Sequence, residues 1–501
     1  MKLIKILVTI TLSLFWIASC SDSNTTGTDS NINEASDQRQ FVWESMNYWY
    51  LYQDEVPELA DNKSFFSDDQ AFQDFLRGFD DTETLFNSLL FEEDEFSFFI
   101  EDFEEFTFGD FVSMTNERPG FGFEFGLIQF SGSNNVFGYV QFVQSDTPAD
   151  TAGLTRGDLF TEINGTQLTV NNFRSLLSAD SYELTLAEIE NGSVVPTGET
   201  PLIEKAPIVD DPIFLYKVLD GGNTKVGYLM YNSFQSNSHE ELNTIFADFE
   251  ADGIDDMVID LRYNGGGALL TSTAISTMIS GLGGSEIYAA LSFNEKRTAQ
   301  NDTITFMDEL PTFDDDGKRI STIPINKLSM DRVFVLTGRQ TASASEALIN
   351  GLRPFLDVVL VGLQTVGKDE GSITLYDAPV PFTNRDAANP DHKVALQPIV
   401  FKDVNADGEG FGDGFIPDFE VNELDALANL PPLGDPDDPL LGQALERINA
   451  SDILVKSRTQ KHLQTQSLPH MRWITGSQFL FPQNRGMYLL PSQTNNLLDF
   501  K

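Results

Sequence analysis

The chain has 501 residues and a formal charge of −46, with 41% hydrophobic residues. A chain of this length usually forms more than one domain, and this hydrophobic content is sufficient for true cores. Because phosphate binding needs clustered lysines and arginines, the acidic balance excludes nucleic acid as a partner. The single cysteine, Cys20, excludes an intrachain disulfide.

The first residues have the pattern of a secretion signal. Lys2 and Lys5 give it a positive start, and the run from Ile6 to Ile17 that follows carries no charge. This run is too short to span a bilayer, and a polar stretch comes after it. We therefore predict that the chain is exported and has no transmembrane helix.

The end of this segment, Ile17-Ala18-Ser19-Cys20, resembles the lipobox of bacterial lipoproteins, in which the signal is cut before a cysteine that then receives lipid. The resemblance implies a signal peptide at residues 1–19 and a lipid anchor on Cys20. It also implies a place in the bacterial cell envelope, at the outer membrane, facing either the periplasm or the surface. A plain signal peptide with a chance cysteine is the alternative. Residues 20–40 lack an apolar period and are predicted to be a flexible linker.

The next two segments differ in pattern and are predicted to be separate units. Residues 41–117 read as an N-terminal helical region, in which the aromatic string 41–52 supplies packing residues rather than a cofactor site. Residues 118–205 read as short strands and turns. There, residues 148–152 predict a short helix, residues 159–163 a strand, and Asn164-Gly165 the turn of a hairpin.

The strings 119-PGFGFEFGLIQF-130 and 147-TPADTAGLTRGDLFTEINGTQL-168 resemble a PDZ domain. PDZ domains add an extended peptide to a sheet edge and hold its terminal carboxylate with loop amides. The resemblance implies that Gly122, Phe123, Glu124 and Phe125 bind such a peptide. A small β domain used only as a spacer is the alternative.

After residue 205 the pattern is that of an α/β unit. Strands are predicted at residues 225–234, 257–267, 332–338 and 358–368, with helical patterns between them. Ser238 and Glu241 have capping-box spacing before one helix, and Gly253 is predicted to end it. The alternation predicts a largely parallel sheet with a site at the strand C-termini. We assign residues 206–430 to this core and residues 431–501 to a C-terminal extension.

Three motifs at the strand ends carry the candidate chemistry: DLRYNGGG at 260–267, TASASE at 341–346 and VGK at 366–368. Together they resemble the carboxyl-terminal processing peptidases, also called tail-specific proteases, over roughly residues 40–425. The resemblance implies an α/β core like those of crotonase and Clp protease. It also implies a serine–lysine dyad, and the family's spacing selects Ser343 and Lys368 as its members.

In such a dyad the serine attacks a peptide carbonyl and the lysine, as the neutral amine, takes its proton. A serine at the start of a helix lies beside free amides and in a positive field. By resemblance, the amides of Ala344 and Gly266 stabilise the oxyanion. A helix N-cap without catalysis is the alternative for Ser343, and a solvated loop cation is the alternative for Lys368.

Two departures from the family pattern affect the dyad. Gly265 stands where the family usually has proline, and Ser372 stands where many relatives have a glutamine that orients the lysine. Ser372 or Glu346 is therefore the candidate helper. The neighbouring Asp369 and Glu370 would favour a charged lysine, which argues against its role as a base.

No cofactor or metal is predicted. None of the four histidines lies in a motif, so a histidine-based triad or metal site has little support. The string 403–414 has part of the spacing of a calcium loop, but Gly414 stands where such a loop needs glutamate. It is interpreted as an acidic turn.

The last residues differ in charge from the rest of the chain. Residues 456–501 hold six basic side chains and one acidic one, and glutamine and asparagine are frequent. No structure or role is assigned to this tail from its sequence, and it is interpreted as loosely ordered.

Three functions remain open at this stage. The first is a secreted, lipid-anchored serine endopeptidase that acts near protein C-termini and recognises free C-termini through the PDZ-like unit. The second is a non-catalytic peptide- or ligand-binding protein on the same fold. The third is a crotonase-type acyl-CoA enzyme, which the export signal argues against.

Overall fold

The computed structural model describes residues 29–104, 118–209, 211–220, 224–313, 319–450, 471–480, 486–490 and 493. The predicted signal peptide and lipid-bearing Cys20 lie outside these residues. None of the helices in these ranges combines the length and the hydropathy that a membrane span requires.

The N-terminal region is mainly helical. Its elements are α1 Asp29–Trp49, α2 Asp69–Arg77, α3 Thr82–Ser88 and β1 Phe98–Ile100. The predicted flexible linker was too long, because α1 begins at Asp29, and no glycine or proline interrupts the sequence from there to Trp49. Trp43, Met46 and Trp49 are buried in the same hydrophobic core as the α/β unit, so this region packs on that unit.

Residues 118–208 form a small β-rich unit. Its elements are β2 Arg118–Gly120, β3 Phe123–Phe130, β4 Val136–Val143, α4 Pro148–Thr151, β5 Leu159–Ile163, β6 Thr166–Gln167, α5 Phe173–Leu177, β7 Ser181–Glu190, β8 Ser193–Pro196, β9 Leu202–Glu204 and β10 Ala206–Ile208. The predicted hairpin is confirmed, since Asn164 and Gly165 both have positive φ between β5 and β6.

The α/β unit holds most of the remaining elements. They are β11 Ile213–Asp220, β12 Lys225–Tyr231, α6 His239–Asp252, β13 Asp256–Asp260, β14 Gly266–Ala268, α7 Leu269–Ser280, β15 Ile287–Phe293, β16 Asp302–Thr305, β17 Glu309–Phe313, β18 Arg319–Pro324, β19 Arg332–Thr337, α8 Ala344–Leu352, β20 Asp357–Gly362, β21 Glu370–Ser372, β22 Leu375–Tyr376, β23 Ala395–Gln397, β24 Ile399–Val404, β25 Phe419–Glu420 and α9 Pro439–Asn449. Two further strands, β26 Met471–Gly476 and β27 Gly486–Tyr488, come from the tail.

The predicted parallel sheet is present. Its order is β11-β12-β13-β19-β20-β25, and each pair after the antiparallel β11–β12 pair is parallel. The helix α6 ends at Gly253 in the left-handed conformation, as predicted. The predicted capping box is wrong, because the Ser238 hydroxyl donates to the carbonyl of Gln235 and contacts the Tyr231 hydroxyl instead.

A second sheet crosses the site, in the order β14-β27-β21-β24-β15-β16. The tail supplies β27 to this sheet and β26 to the sheet of the β-rich unit, in the order β26-β3-β4-β5-β7-β8. The interpretation of the tail as loosely ordered is therefore wrong for residues 471–480 and 486–490. The helix α9 packs its apolar face on the parallel sheet, so the α/β unit extends past the predicted boundary at residue 430.

Candidate functional site

The glycine turn after β13 packs directly on the start of α8. Gly266 has φ +115°, and a Cβ atom on it would lie 2.8 Å from Ser343 Cβ and 3.1 Å from the Ala344 nitrogen. Both the backbone conformation and the space therefore require glycine at this position. The contact joins two of the three motifs that the sequence singled out.

Ser343 lies at the junction of β19 and α8 and is 0% exposed. Its φ of 62° is rare for a residue with a side chain, and such strained positions cost about 1–3 kcal/mol and cluster at functional sites. Its Oγ makes no hydrogen bond to any residue that the structure describes. By contrast, Ser345 Oγ donates to the carbonyl of Asn264 at 3.0 Å. Of the two serines, Ser343 therefore has the available hydroxyl.

Lys368 is 1% exposed, and its Nζ lies 4.1 Å from the centre of the Phe96 ring. A Cβ atom on Gly486 would lie 3.0 Å from the same Nζ. Gly486 is the Cα partner of Gly266 in the parallel pair of β14 and β27. Ser343 and Lys368 therefore contact two glycines that face each other across one strand pair.

Glu346, one of the two candidate helpers, is buried at the centre of this arrangement. Its Oε2 accepts the backbone N–H groups of Ser343 and Lys368, each at 2.9 Å. Its Oε1 accepts from the Gly367 amide at 2.7 Å and from the Thr365 hydroxyl. Burial raises the pKa of this carboxyl, and these hydrogen bonds act in the opposite direction. Glu346 thus holds the backbone of the segment that carries Ser343 and of the segment that carries Lys368.

Ser372, the other candidate helper, lies on β21. Its hydroxyl donates to the carbonyl of Met487 at 3.3 Å and accepts from Gln397 Nε2 at 2.8 Å. The Gln397 Oε1 is buried without a hydrogen-bond partner among the described residues. Ser372 therefore connects β21 to the tail strand and to Gln397.

One predicted oxyanion donor has another partner in this conformation. The Gly266 N–H donates to the side-chain oxygen of Asn264 at 2.9 Å, so it is not free to meet a substrate. The reason is that the Asn264 side chain folds back over the turn, where its own amide also donates to the Tyr231 carbonyl at 2.8 Å. The Ala344 amide lies beside the same turn at the N-terminus of α8.

The two acids that follow Lys368 have their own partners. Glu370 accepts the Tyr52 hydroxyl at 2.7 Å and lies 3.6 Å from Lys402 Nζ. Burial raises the pKa of Asp369. The partners of Glu370 weaken the expectation that its carboxylate holds Lys368 charged.

The predicted peptide-binding residues line a cleft next to this site. Gly122, Phe123, Glu124 and Phe125 border a cavity of about 420 Å³ that extends to Gly265–Gly267. The β-rich unit and the glycine turn thus share one continuous cleft. Gly486 also borders this cleft, whereas the side chains of Ser343 and Lys368 are buried.

A buried ionic cluster fixes the β-rich unit to the core. Arg156 donates to the Tyr263 hydroxyl at 2.6 Å and to Glu423 at 2.9 Å. Arg262 pairs with Asp438 at 2.7 Å. Because Tyr263 lies three residues before Gly266, the cluster ties the position of the β-rich unit to the glycine turn.

Several residues of this site were not found from the sequence. Phe96 and Gly486 reach Lys368 from distant parts of the chain, and no motif marks either of them. Arg156 lies within the PDZ-like string, where it had no assigned role. In the string 403–414, the Asn405 side chain caps its own turn by accepting the amides of Asp407 and Glu409.

Two family models match the chain. Residues 225–421 match peptidase family S41, and residues 37–98 match the peptidase S41 N-terminal domain. The first range contains the glycine turn, Ser343 and Lys368. The second ends just after Phe96, so the two ranges together contain Ser343, Lys368 and Phe96, whereas Gly486 lies outside both.

Named relatives and a solved structure agree with these matches. Carboxyl-terminal-processing peptidase 1 of Arabidopsis thaliana is 25% identical over 240 residues, which are 47% of this chain and 45% of the relative. The carboxy-terminal-processing protease of Bartonella bacilliformis is 27% identical over 248 residues, or 48% and 51% of the two chains.

The alignments thus span about half the length of these curated relatives. A crystal structure of a Bacteroides fragilis protein assigned to the S41 proteases is 26% identical, with a TM-score of 0.60. The alignment to that structure covers 81% of this chain and 96% of the other. Together with the matched residues that form the site, these findings place the chain in peptidase family S41.

Proposed function

We propose that this chain is a serine endopeptidase that cleaves proteins near their C-termini with Ser343 as nucleophile and Lys368 as general base. The observation that carries the proposal is that one oxygen of Glu346 accepts the backbone N–H groups of both Ser343 and Lys368, because this brings the two segments together. The available Oγ of Ser343 and its strained backbone support the same role.

The proposed reaction has two steps. Ser343 Oγ attacks the scissile carbonyl while neutral Lys368 takes the hydroxyl proton, and the Ala344 amide stabilises the oxyanion. Lys368 then gives the proton to the leaving amine, and the C–N bond breaks to leave an acyl-enzyme. Water, deprotonated by Lys368, hydrolyses the ester and regenerates Ser343.

In this scheme the Gly266 amide becomes a second oxyanion donor only if it leaves Asn264. One such donor usually contributes about 2.7–4 kcal/mol to barrier lowering. Binding of a peptide strand in the cleft is the event that we expect to turn this amide toward the substrate.

The test compares Ser343→Ala and Lys368→Ala with Ser345→Ala, whose hydroxyl is already used by a carbonyl. The assay follows cleavage of an unfolded protein with an apolar C-terminus. The first two variants should lose at least about 10³-fold in activity, and Ser345→Ala should keep most of it. Full activity of Ser343→Ala would exclude the mechanism. Tight peptide binding without any cleavage by the unmodified chain would favour the alternative, a peptide-binding protein.

We further propose that the β-rich unit is PDZ-like and binds substrate C-termini along Gly122, Phe123, Glu124 and Phe125. The position of these residues on one cleft with the glycine turn supports this role. A substrate with a C-terminal amide in place of the carboxylate should be cleaved with a higher KM. An unchanged KM would argue against recognition of the carboxylate.

Finally, we propose that the chain is a lipoprotein of the bacterial envelope, anchored through Cys20. Only the sequence supports this proposal, through its charged start, apolar run and lipobox-like end. Mass spectrometry of the mature N-terminus after expression in a bacterium tests it. An unlipidated N-terminus with Cys20 removed would refute the anchor.

A further inference from the structure

The basic tail returns to the cleft in two described pieces. The first, β26, pairs antiparallel with β3, with Met471 opposite Phe130 and Gly476 opposite Gly126. The tail therefore runs toward the loop that precedes β3. β26 is the outermost strand of its sheet, so it occupies the edge to which an added peptide would bind.

The tail continues along the same groove beyond β26. Ser477 Oγ accepts the Phe125 amide at 2.9 Å and donates to Glu124. From α5, on the other side of the groove, Arg174 donates to the Leu480 carbonyl at 3.0 Å. The tail thus contacts two of the four residues to which we assign peptide binding.

Two apolar side chains of the tail pack on the β-rich unit. Ile474 and Leu480 both pack against the core of the β-rich unit, which includes Phe123 from β3 and Leu177 from α5. A main-chain strand with apolar side chains in pockets is the way in which extended peptides bind a sheet edge.

The second piece, β27, lies between β14 and β21 at the catalytic pair. Gly486 is the residue that faces Gly266 and approaches Lys368 Nζ. Ser343 is 0% exposed and Lys368 is 1% exposed in this arrangement. A protease must admit a polypeptide to these atoms, so the described conformation is one in which the site is covered.

We infer that the C-terminal tail is an internal occupant of the substrate cleft, which covers the peptide groove and the catalytic pair until a substrate displaces it. The inference rests on the proposed function for the identity of the displacing molecule. The docked tail also indicates the substrate class: an extended segment that adds antiparallel to β3 with apolar side chains where Ile474 and Leu480 lie.

The first test measures binding and needs no catalysis. The test protein is the full chain with Ser343→Ala as an inactive background and with Ile474→Asp and Leu480→Asp in the tail. The two aspartates weaken tail docking and leave both walls of the groove unchanged. The matched control carries Ile474→Leu and Leu480→Met, which keep the volume and polarity. The probe is a fluorescein-labelled peptide that copies residues 471–480.

The probe should bind the aspartate variant at least tenfold more tightly than it binds the control. A probe with the same two aspartates should bind neither protein. Equal affinity of the unaltered probe for the two proteins would overturn the inference, because the groove would then be equally accessible with the tail intact.

The second test uses the same tail substitutions with Ser343 intact. The aspartate variant should cleave an unfolded protein substrate with about tenfold higher kcat/KM than the control, and the 471–480 peptide should inhibit it. A fall in activity with the thermal midpoint unchanged would show that the tail builds the site, and would overturn the inference. If neither protein cleaves any substrate, the proposed function fails, whereas the binding result still decides whether the tail covers the groove.

Discussion

Glu346 accepts the backbone N–H of Lys368 at 2.9 Å through the same oxygen that accepts the backbone N–H of Ser343. Its other oxygen accepts from Thr365 and Gly367. An ionised carboxylate offers acceptor sites only, which suits four donors that converge on it. One buried side chain thus sets the distance between the segments that carry the proposed nucleophile and base.

Glu346→Gln should therefore impair catalysis through position rather than charge. The amide group presents N–H donors to backbone N–H groups, and a buried mismatch of this kind costs about 1–3 kcal/mol. A displacement of about 1 Å at the dyad lowers kcat by roughly 10²-fold. Steady-state kinetics should show this fall with little change in KM. A normal kcat would contradict the role of Glu346 as a positioning residue.

Gly266→Ala should inactivate the protein for two separable reasons. Its φ of +115° is unfavourable for alanine, and the new methyl group would lie 2.8 Å from Ser343 Cβ. The control is Gly165→Ala, because Gly165 also has positive φ but has nothing within 4 Å of a new Cβ. Because alanine is unfavourable at positive φ, both variants should lose about 1 kcal/mol or more in the free energy of unfolding, measured with urea. Only Gly266→Ala should lose cleavage activity; equal activity of the two would place the glycine turn outside the site.

Arg156→Leu should destabilise the fold strongly. Arg156 lies 2.9 Å from Glu423 and 3.5 Å from Asp438, and all three side chains are largely buried. Removal of one partner from a buried ion cluster usually costs about 3–5 kcal/mol, since the remaining charges lose their compensation. Urea unfolding should show this loss, and Arg156→Lys should recover part of it. A cost below about 1 kcal/mol would show that Arg262 alone neutralises both acids.

His239 should make the fold sensitive to mild acid. Burial lowers the pKa of its ring to about 4, and in the neutral ring Nδ1–H donates to the Pro311 carbonyl while Nε2 accepts from Thr271. In the unfolded chain the His239 ring takes up a proton near pH 6.5. The stability that the neutral, buried ring contributes to the fold is therefore fully present above pH 6.5 and is lost as pH falls toward 4.

At pH 5 the loss amounts to about 2 kcal/mol relative to pH 7. The measurement is the free energy of unfolding across this range for the unmodified chain and for His239→Gln. The variant should lack this part of the pH dependence. If the free energy of unfolding depends on pH in the same way for both proteins, the pKa of His239 does not change on unfolding.

The sequence predicted those parts of the site that repeat a local pattern. The strands β12, β13, β19 and β20 have apolar runs, and the glycine turn and TASASE follow two of them, so parallel pairing brings these motifs to one edge. Ser343 could also be separated from Ser345, but only through the spacing of the family that the motifs resemble.

The parts that could not be predicted depend on contacts between distant residues. Phe96 and Gly486 meet Lys368 from opposite ends of the chain, and neither has a local pattern that marks the contact. The Gly266 amide was assigned to the oxyanion, but Asn264 takes its N–H in the folded turn. The tail strand β26 could not be predicted because its partners, β3 and the core of the β-rich unit, lie far earlier in the chain.

Glu124 should make docking of the tail depend on pH. It lies on β3, where burial raises its pKa to about 7 and the hydrogen bond from Ser477 acts in the opposite direction. If the tail leaves, water reaches this carboxyl and its pKa returns toward the ordinary value of 4.5. Between about pH 4.5 and pH 7, Glu124 therefore keeps its proton when the tail is docked and releases it when the tail is undocked.

Docking should consequently weaken as pH rises from about 4.5 through 7, because ionisation of Glu124 favours the undocked tail. Amide hydrogen exchange of residues 471–480, corrected for the intrinsic rate, should be slower at pH 6 than at pH 8. In Glu124→Gln the amide side chain keeps the contact with Ser477 and has no proton to lose, so protection should be the same at both values. If the variant shows the same pH dependence, another group controls docking of the tail. If protection of the unmodified chain rises with pH, ionisation of Glu124 does not favour the undocked tail.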